Sequence, residues 1–245
     1  MLYAKSRYSR GTLIAPPLRA VKFHLCRAIY APLISAELVP EPLVFGFKQA
    51  FAFAGYDALV SDILKQRKIM QQTKLQGVSV GLSGSELKLG DKASEISLVA
   101  PDLSEVKVGG GTGKAQVIIA VPSLDTDVCA TETRKFNERA ASIKNTEVFV
   151  ISMDLPFAAG RFCSTEGIKN LRALSDFRDK EFARAYGVLI ADGALAGLTC
   201  RAVFVVDTAG KIAYKQITGD IADEPDYDAA LNAAAFASGS AATQG

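Results

Sequence analysis

The pattern of apolar and polar positions changes character near residue 70. From Thr73 onward, short apolar runs alternate with amphipathic stretches, and Gly, Pro, Asp and Asn punctuate the gaps between them. A strand pair is predicted at roughly 73–82 and 85–88, turning at Ser83-Gly84, with further strands near 96–100 and 104–108. Residues 115–121 (AQVIIAV) form a continuous apolar run of strand length, which suits a central strand covered on both faces. A helix over about 128–143 follows, with Phe136 and Ala140 four residues apart on its inner face. Residues 147–153 (EVFVISM) read as a second buried strand. A helix near 158–169, a short strand near 173 and a helix at 178–186 lead to a strand at 202–207 (AVFVVD). That strand and residues 211–218 form a hairpin across Asp207-Thr208-Ala209-Gly210. A last helix spans about 225–235.

Strands that alternate with helices and end in a hairpin plus helix fit an α/β class with a thioredoxin-like sandwich. This domain is expected over residues 70–236, opening on an N-terminal β-hairpin. The tail over 237–245 is rich in Ala, Ser and Gly and is expected to be disordered. Residues 1–69 lack this patterning. Their first 36 residues hold Lys5, Arg7, Arg10, Arg19, Lys22 and Arg27 but no acid, and a Pro-punctuated stretch and an aromatic run at 45–53 follow. Lys48 and Asp57 interrupt every window approaching transmembrane length, and no uninterrupted apolar core follows the basic start as in a secretory signal. Met70 stands just before the ordered patterning begins. The favoured reading of 1–69 is therefore an upstream extension read in frame but unused. A targeting or membrane-surface segment and an accessory element remain as alternatives.

Composition narrows the function classes. Residues 1–69 carry 10 Lys/Arg against 4 Asp/Glu, a net of +6, while the remainder carries 18 against 22, a net of −4. A mildly acidic body gives no reason to expect nucleic-acid binding. Four scattered cysteines do not make a disulfide scaffold, none form CxxC, and His24 is the single histidine, so neither a structural zinc nor another cofactor is expected. The run 109–114 (GGGTGK) resembles part of a phosphate loop. It lacks the motif's first glycine, where Val108 stands, and the Ser/Thr after the lysine, where Ala115 stands. It also precedes a strand rather than a helix, so it is read as a plain loop.

The chemistry concentrates at 122–129, PSLDTDVC. Cys129 falls just after a predicted strand, at the first turn of a predicted helix, where unpaired backbone N–H groups and the helix dipole stabilise a thiolate. Pro122 stops the strand and can shield the thiol from bulk water. Thr126 can bring its hydroxyl to the sulfur or to a bound oxygen, and Asp125 or Thr126 could cap the helix. A second thiol, Cys163, follows 34 residues later on a separate segment. An ordinary buried cysteine on an amphipathic helix is the alternative for either thiol, and the context P-x-x-x-T-x-x-C weighs against it for Cys129. Thiol ionisation alone carries little rate. A free thiol of pKa about 8.5 is ~3% thiolate at pH 7, so complete ionisation gains only ~30-fold.

The matching text extends well beyond this motif. RKFN (134–137), SMDLPFAAGRFC (152–163), EGIKN (166–170), AYGVLIADGALAGL (185–198), RAVFVVD (201–207) and EPDYDAAL (224–231) accompany PSLDTDVC, so that residues 72–235 resemble the thiol peroxidase branch of the peroxiredoxins, the atypical two-cysteine class. The resemblance implies the peroxiredoxin type of the thioredoxin-like fold. It also implies a peroxidatic Cys129 and a resolving Cys163, with Thr126 and Pro122 in the pocket and Arg201 orienting thiolate and peroxide. The implied cycle reduces hydrogen peroxide or an organic hydroperoxide, passes through a Cys129 sulfenic acid and a Cys129–Cys163 intrasubunit disulfide, and ends with reduction by thioredoxin. A homodimer packed near the active-site helices and a cytoplasmic location are further expectations, with no membrane or nucleic-acid partner. Cys200 departs from the family, which usually has a small residue before the arginine. As a strand neighbour of Arg201 it is expected to point away from the pocket. Cys26 has no evident partner. The rival functional readings are a peroxide sensor of the same fold with little turnover, and a binding domain with inert thiols.

Overall fold

The computed structural model describes residues 71–141 and 143–239. The expectation for 1–69 lies outside the described residues, and so does the tail beyond Gly239; the tail's expected start is corrected, because Ala237 ends the last helix and Ser238 caps it.

Among the described residues, ten strands and four helices follow one another. The strands are β1 (Gln72–Leu75), β2 (Val78–Ser83), β3 (Ile96–Val99), β4 (Glu105–Val108), β5 (Ala115–Ala120), β6 (Thr146–Ser152), β7 (Arg172–Ser175), β8 (Leu189–Ile190), β9 (Ala202–Val206) and β10 (Ile212–Ile217). The helices are α1 (Asp127–Ala140), α2 (Pro156–Thr165), α3 (Glu181–Ala185) and α4 (Tyr227–Ala237). Seven strands form one sheet in the order β10-β9-β5-β6-β7-β3-β4, with β5, β6 and β7 parallel and the flanking pairs antiparallel.

The sheet has two cores because successive side chains of a strand leave opposite faces. On β5, Ile118 and Ala120 join one apolar cluster, while Val117 and Ile119 join the other. Strands β6 and β9 split in the same way, with Phe149, Ile151, Phe204 and Val206 on the first face and Val148, Val150, Val203 and Val205 on the second. The second face is covered by the buried stripe of α1 (Cys129, Glu132, Thr133, Phe136 and Ala140) and by Ala159 and Phe162 of α2 and Ala230 and Ala234 of α4. The Phe136 ring packs on that of Tyr227 at 5.0 Å between centroids, joining α1 to α4. The chemistry is on this face. Cys200 is buried in the opposite cluster, pointing away from it as the alternation requires, and burial pushes its thiol up to about 12.

The N-terminal hairpin forms, but its turn is not at Ser83-Gly84. It reverses at Gln76-Gly77, where both residues have positive φ (50° and 84°), as a two-residue hairpin turn requires. The Asp220 carboxylate accepts both turn amides, from Gln76 at 3.0 Å and Gly77 at 2.7 Å. The segment 85–88 is not a strand. Gly84 instead brings the chain hard against α3, where an added Cβ would stand 2.2 Å from the Arg184 carbonyl oxygen, and the Ser85 amide donates to that oxygen. Two-residue β8 is absent from the sequence reading because it has no periodicity of its own. Its pairing with Leu82 and Ser83 defines it, and it completes a second sheet in the order β1-β2-β8. The glycine run at 109–114 is the β4–β5 connection, a loop as read.

No helix among the described residues is long and apolar enough to cross a membrane.

Candidate active site

Strand β5 delivers the chain to a short loop, residues 121–126, that is held before α1 starts. Pro122 is buried at the strand end. Asp154, in the β6–α2 turn, accepts from Ser123 Oγ and from the Leu124 amide, both at 2.7 Å, and from Ser152 Oγ at 2.8 Å. One carboxylate thus fixes the approach to α1 and the departure toward α2.

Thr126 is the N-cap residue, with extended φ/ψ (−111°, 146°), but no side chain caps the helix. Its hydroxyl turns back to donate to the Ser123 carbonyl at 3.1 Å, and the Asp125 carboxylate pairs with Arg161 at 3.2 Å. The capping expected of Asp125 or Thr126 is therefore not made. The first intrahelical bond runs from the Ala130 amide to the Thr126 carbonyl at 2.9 Å. The amides of Asp127, Val128 and Cys129 have no partner within the helix, and Cys129 sits third in it, where such donors concentrate.

Cys129 is 1% exposed. Arg201, in the bend before β9, reaches it across the sheet face with Nη2 at 3.3 Å from Sγ. Two further contacts hold the guanidinium. Nε donates to the Ile221 carbonyl at 2.8 Å, and Nη1 donates to Glu132 Oε2, one helical turn beyond Cys129. Burial disfavours the Arg201 cation, but Glu132 and the Cys129 sulfur outweigh it and hold the group protonated above its ordinary range. Burial also dominates at Glu132, pushing its carboxyl up to about 7 against the pull of Arg201.

Cys163 lies inside α2, half-buried, and belongs to the edge of the same apolar cluster as Cys129. Burial raises its thiol, and a backbone bond at Ala173 partly offsets this. Both cysteines are free thiols. Several contacts clasp their helices in the present arrangement. Arg134 pairs with Glu166 at 2.7 Å, and Asn137 Oδ1 accepts the amides of Lys169 and Asn170 at 2.9 and 2.8 Å, in addition to the Asp125–Arg161 pair. A disulfide between them would require Cα atoms within roughly 4.4–6.8 Å. The Asp125–Arg161 pair is exposed and worth about 1 kcal/mol or less, a low barrier to movement of α2, while Arg134–Glu166 is part-buried. Limited proteolysis is expected to cut within 156–168 faster in oxidised than in reduced protein. Equal rates would rule out opening of α2.

The sequence-derived set is thus only partly assembled. Cys129 and Arg201 are in contact, Pro122 and Thr126 frame the helix start, and Cys163 is on the neighbouring helix. Sequence reasoning missed Glu132, Asp154 and the Ile221 carbonyl. A signal existed for Glu132, as the one acid on the stripe 129, 132, 133, 136, 140 that α1 buries. Asp154 lies in the quoted motif 152–163, but its bonding to the opposite loop could not be read there. The Ile221 contribution is a backbone oxygen and carries no side-chain signal.

A thioredoxin-like sheet that presents a buried cysteine at the first turn of a helix, with an arginine on its sulfur, defines a thiol-based peroxidase of the peroxiredoxin class. Comparison with known proteins agrees. The Redoxin family model matches residues 88–231. The thiol peroxidase of Campylobacter jejuni is 53% identical over 157 residues, covering 64% of this chain and 89% of the relative, and that of Aquifex aeolicus is 52% identical, covering 64% and 93%. The crystal structure of a peroxiredoxin-like protein from Aquifex aeolicus superposes with a TM-score of 0.66 at 49% identity, over 68% of this chain and 98% of its own. A thiol peroxidase from Chromobacterium violaceum, at 23% identity and TM-score 0.60, supports the fold alone. The chain belongs to the Redoxin family and, within it, to the thiol peroxidases. It is a thiol-dependent peroxidase.

Proposed function

We propose that the chain reduces hydrogen peroxide and organic hydroperoxides with Cys129 as peroxidatic and Cys163 as resolving cysteine. The Cys129 thiolate attacks the distal peroxide oxygen. An S–O bond forms as the O–O bond breaks, and the departing alkoxide or hydroxide takes a proton to leave as alcohol or water. Cys163 then attacks the sulfenic sulfur, water leaves, and an intrasubunit disulfide remains. The observation that carries this reading is the 3.3 Å contact from Arg201 Nη2 to a sulfur buried at a helix start. The same cation can stabilise the charge that builds on the peroxide oxygens. The Thr126 hydroxyl donates its hydrogen bond to the Ser123 carbonyl, which leaves its oxygen lone pairs to accept from a peroxide O–H. Pro122 closes the strand side of the pocket.

Thioredoxin is the reductant this cycle calls for, as a dithiol able to exchange with an intrasubunit disulfide, and a cytoplasmic location would supply it. The deciding experiment is a titration of reduced protein with peroxide, followed by non-reducing peptide mapping. One equivalent should give a Cys129–Cys163 disulfide, and Cys163→Ser should stop at a Cys129 sulfenic acid after a single turnover. Cys129 persisting as a thiol under excess peroxide would refute the assignment.

A homodimer is the proposed assembly, supported by an apolar patch beside α2. Leu103, Leu155, Phe157 and Phe177 are all exposed. Their segments are neighbours, because Val99 pairs with Ser175, Ser175 Oγ donates to the Asp154 carbonyl at 2.5 Å, and Pro101 abuts Gly160. Isolated apolar side chains are common on surfaces, but four large ones on adjoining segments mark an interface. Sedimentation or size exclusion should show a dimer for wild type and a monomer for the double variant Phe157→Lys, Phe177→Lys. A monomeric wild type would remove the proposal.

A further inference from the structure

The stretches 185–198 and 201–207 that carry the family resemblance leave out the two residues between them, Thr199 and Cys200. Cys200 packs into the core away from the chemistry. Thr199 does not. Its hydroxyl donates to the Val121 carbonyl at 2.5 Å, and both residues are 0% exposed.

This bond lies where two segments of the site part company. Strands β5 and β9 pair antiparallel as far as Ala120 and Ala202. Past that pair, the β5 side runs through Val121 to Pro122, which has no N–H to offer a ladder, and the β9 side runs back through Arg201 to Thr199. The Val121 amide is taken by the Ile151 carbonyl of β6 at 3.0 Å, and the Val121 carbonyl is taken by the Thr199 hydroxyl. A buried carbonyl stripped of its donor is costly, so the hydroxyl has a fixed task. The loop that leads to Cys129 is thus tied to Ile151 at Val121, to Asp154 at Ser123 and Leu124, and to Thr199. Of these three ties, Thr199 alone comes from the segment that carries Arg201.

The backbone around Thr199 is itself held. The Cys200 amide donates to the Val188 carbonyl at 2.8 Å, and the Arg201 carbonyl accepts from the Thr218 amide at 3.2 Å and from Thr218 Oγ1 at 3.3 Å. A β-branched side chain on a fixed backbone has few rotamers, so its hydroxyl works as a short strut.

We infer that Thr199 is a positioning residue for the peroxidase reaction. By tying the Val121–Pro122 strand end to the base of Arg201, it sets the spacing between the pocket wall and the cation, and so where a peroxide lies against Cys129. Thr199 itself touches no reacting atom. The inference rests on the assignment of Cys129 as the reacting thiol.

The test compares two reactions of Cys129 in reduced full-length protein, with hydrogen peroxide and with iodoacetamide, both at the alkaline plateau of the rate and with the alkylated site mapped by peptide mass. Peroxide reduction needs Arg201 placed against the O–O bond, whereas alkylation needs only the sulfur. The ratio of the two rate constants therefore reports positioning, and a denaturation midpoint reports stability. Thr199→Val keeps the shape and removes the hydroxyl, and its ratio should fall about tenfold. Thr199→Ser restores the donor but not the stiff rotamer, and its ratio should recover to within about twofold of wild type, remaining below it. A wild-type ratio in Thr199→Val, whatever its midpoint, would reduce the bond to a purely structural one and overturn the proposal. If Thr199→Val does not fold, Thr199→Ser decides, and a ratio equal to that of wild type overturns the proposal. Failure of the peroxidase assignment is read separately, as the absence of a Cys129 sulfenic acid on peptide mapping of peroxide-treated wild type.

Discussion

Cys129→Ser is expected to abolish peroxide turnover, with a loss exceeding about a thousandfold, as when a nucleophile is removed from a site whose other parts are intact. The substitution is nearly isosteric at a position 1% exposed, so the fold should survive. The chemistry cannot. A serine hydroxyl ionises far above any pH the protein tolerates, and one guanidinium and three free amides do not bridge that gap. Among the described residues, the other two thiols are poorer nucleophiles toward peroxide. Cys200 is buried on the opposite face of the sheet with its thiol pushed up to about 12, and burial also raises Cys163. Peroxide consumption with a small dithiol as reductant measures the effect. Retained activity near the wild-type level would place the reacting sulfur elsewhere.

Arg201→Met should slow the reaction of reduced protein with peroxide by about 10²–10³-fold, beyond the ~30-fold that complete thiol ionisation can supply. The excess is the part of the effect that belongs to the transition state, and it should persist at a pH where the thiol of the variant is fully ionised. Stability has to be separated from it. Without its cation, Glu132 becomes still harder to ionise, so its folded-state value climbs above about 7 and further from the unfolded value of 4.5. A carboxyl raised by folding contributes its stability below the unfolded value and loses it as pH rises through the folded one. The variant should therefore be best folded in mildly acidic buffer and weaken progressively toward alkaline pH, where breaking a buried pair costs about 3–5 kcal/mol. Stopped-flow kinetics together with a denaturation midpoint at each pH distinguish the two effects. Wild-type kinetics in a folded variant would remove Arg201 from the mechanism.

These expectations rest unequally on what the chain alone discloses. Strands β5, β6 and β9 were legible as apolar runs because both faces of each are buried, and α1 was legible from Phe136 and Ala140. The thiols, Arg201, Thr126 and Pro122 could be singled out from motif and resemblance, since each is a particular residue type at a particular spacing. What was not legible is relational. The turn at Gln76-Gly77 was missed because Ser83-Gly84 has equal claim as turn chemistry, and only the close approach to Arg184 shows why the latter glycine is there. Glu132 resembled an ordinary helix acid until α1 was placed on its sheet. Asp154 gains its meaning from two hydroxyls and an amide that converge on it in space.

The N-terminal hairpin has a reach that its distance in sequence from Cys129 conceals. The Ile221 amide donates to the Lys74 carbonyl at 2.7 Å, and the Ile221 carbonyl receives Arg201 Nε at 2.8 Å. Thr73 Oγ1 and the Asp220 carboxylate rivet the same two segments together on either side of that peptide. One residue is thus a relay, facing the first strand with its amide and Arg201 with its oxygen. The edge of the functional enzyme accordingly falls upstream of β1. A proteolytic nick or an alternative start just downstream of β1 would leave Cys129, Cys163 and Cys200 in place and still slacken the grip on the guanidinium, so loss of peroxidase activity with these thiols intact would report damage at the far end of the domain.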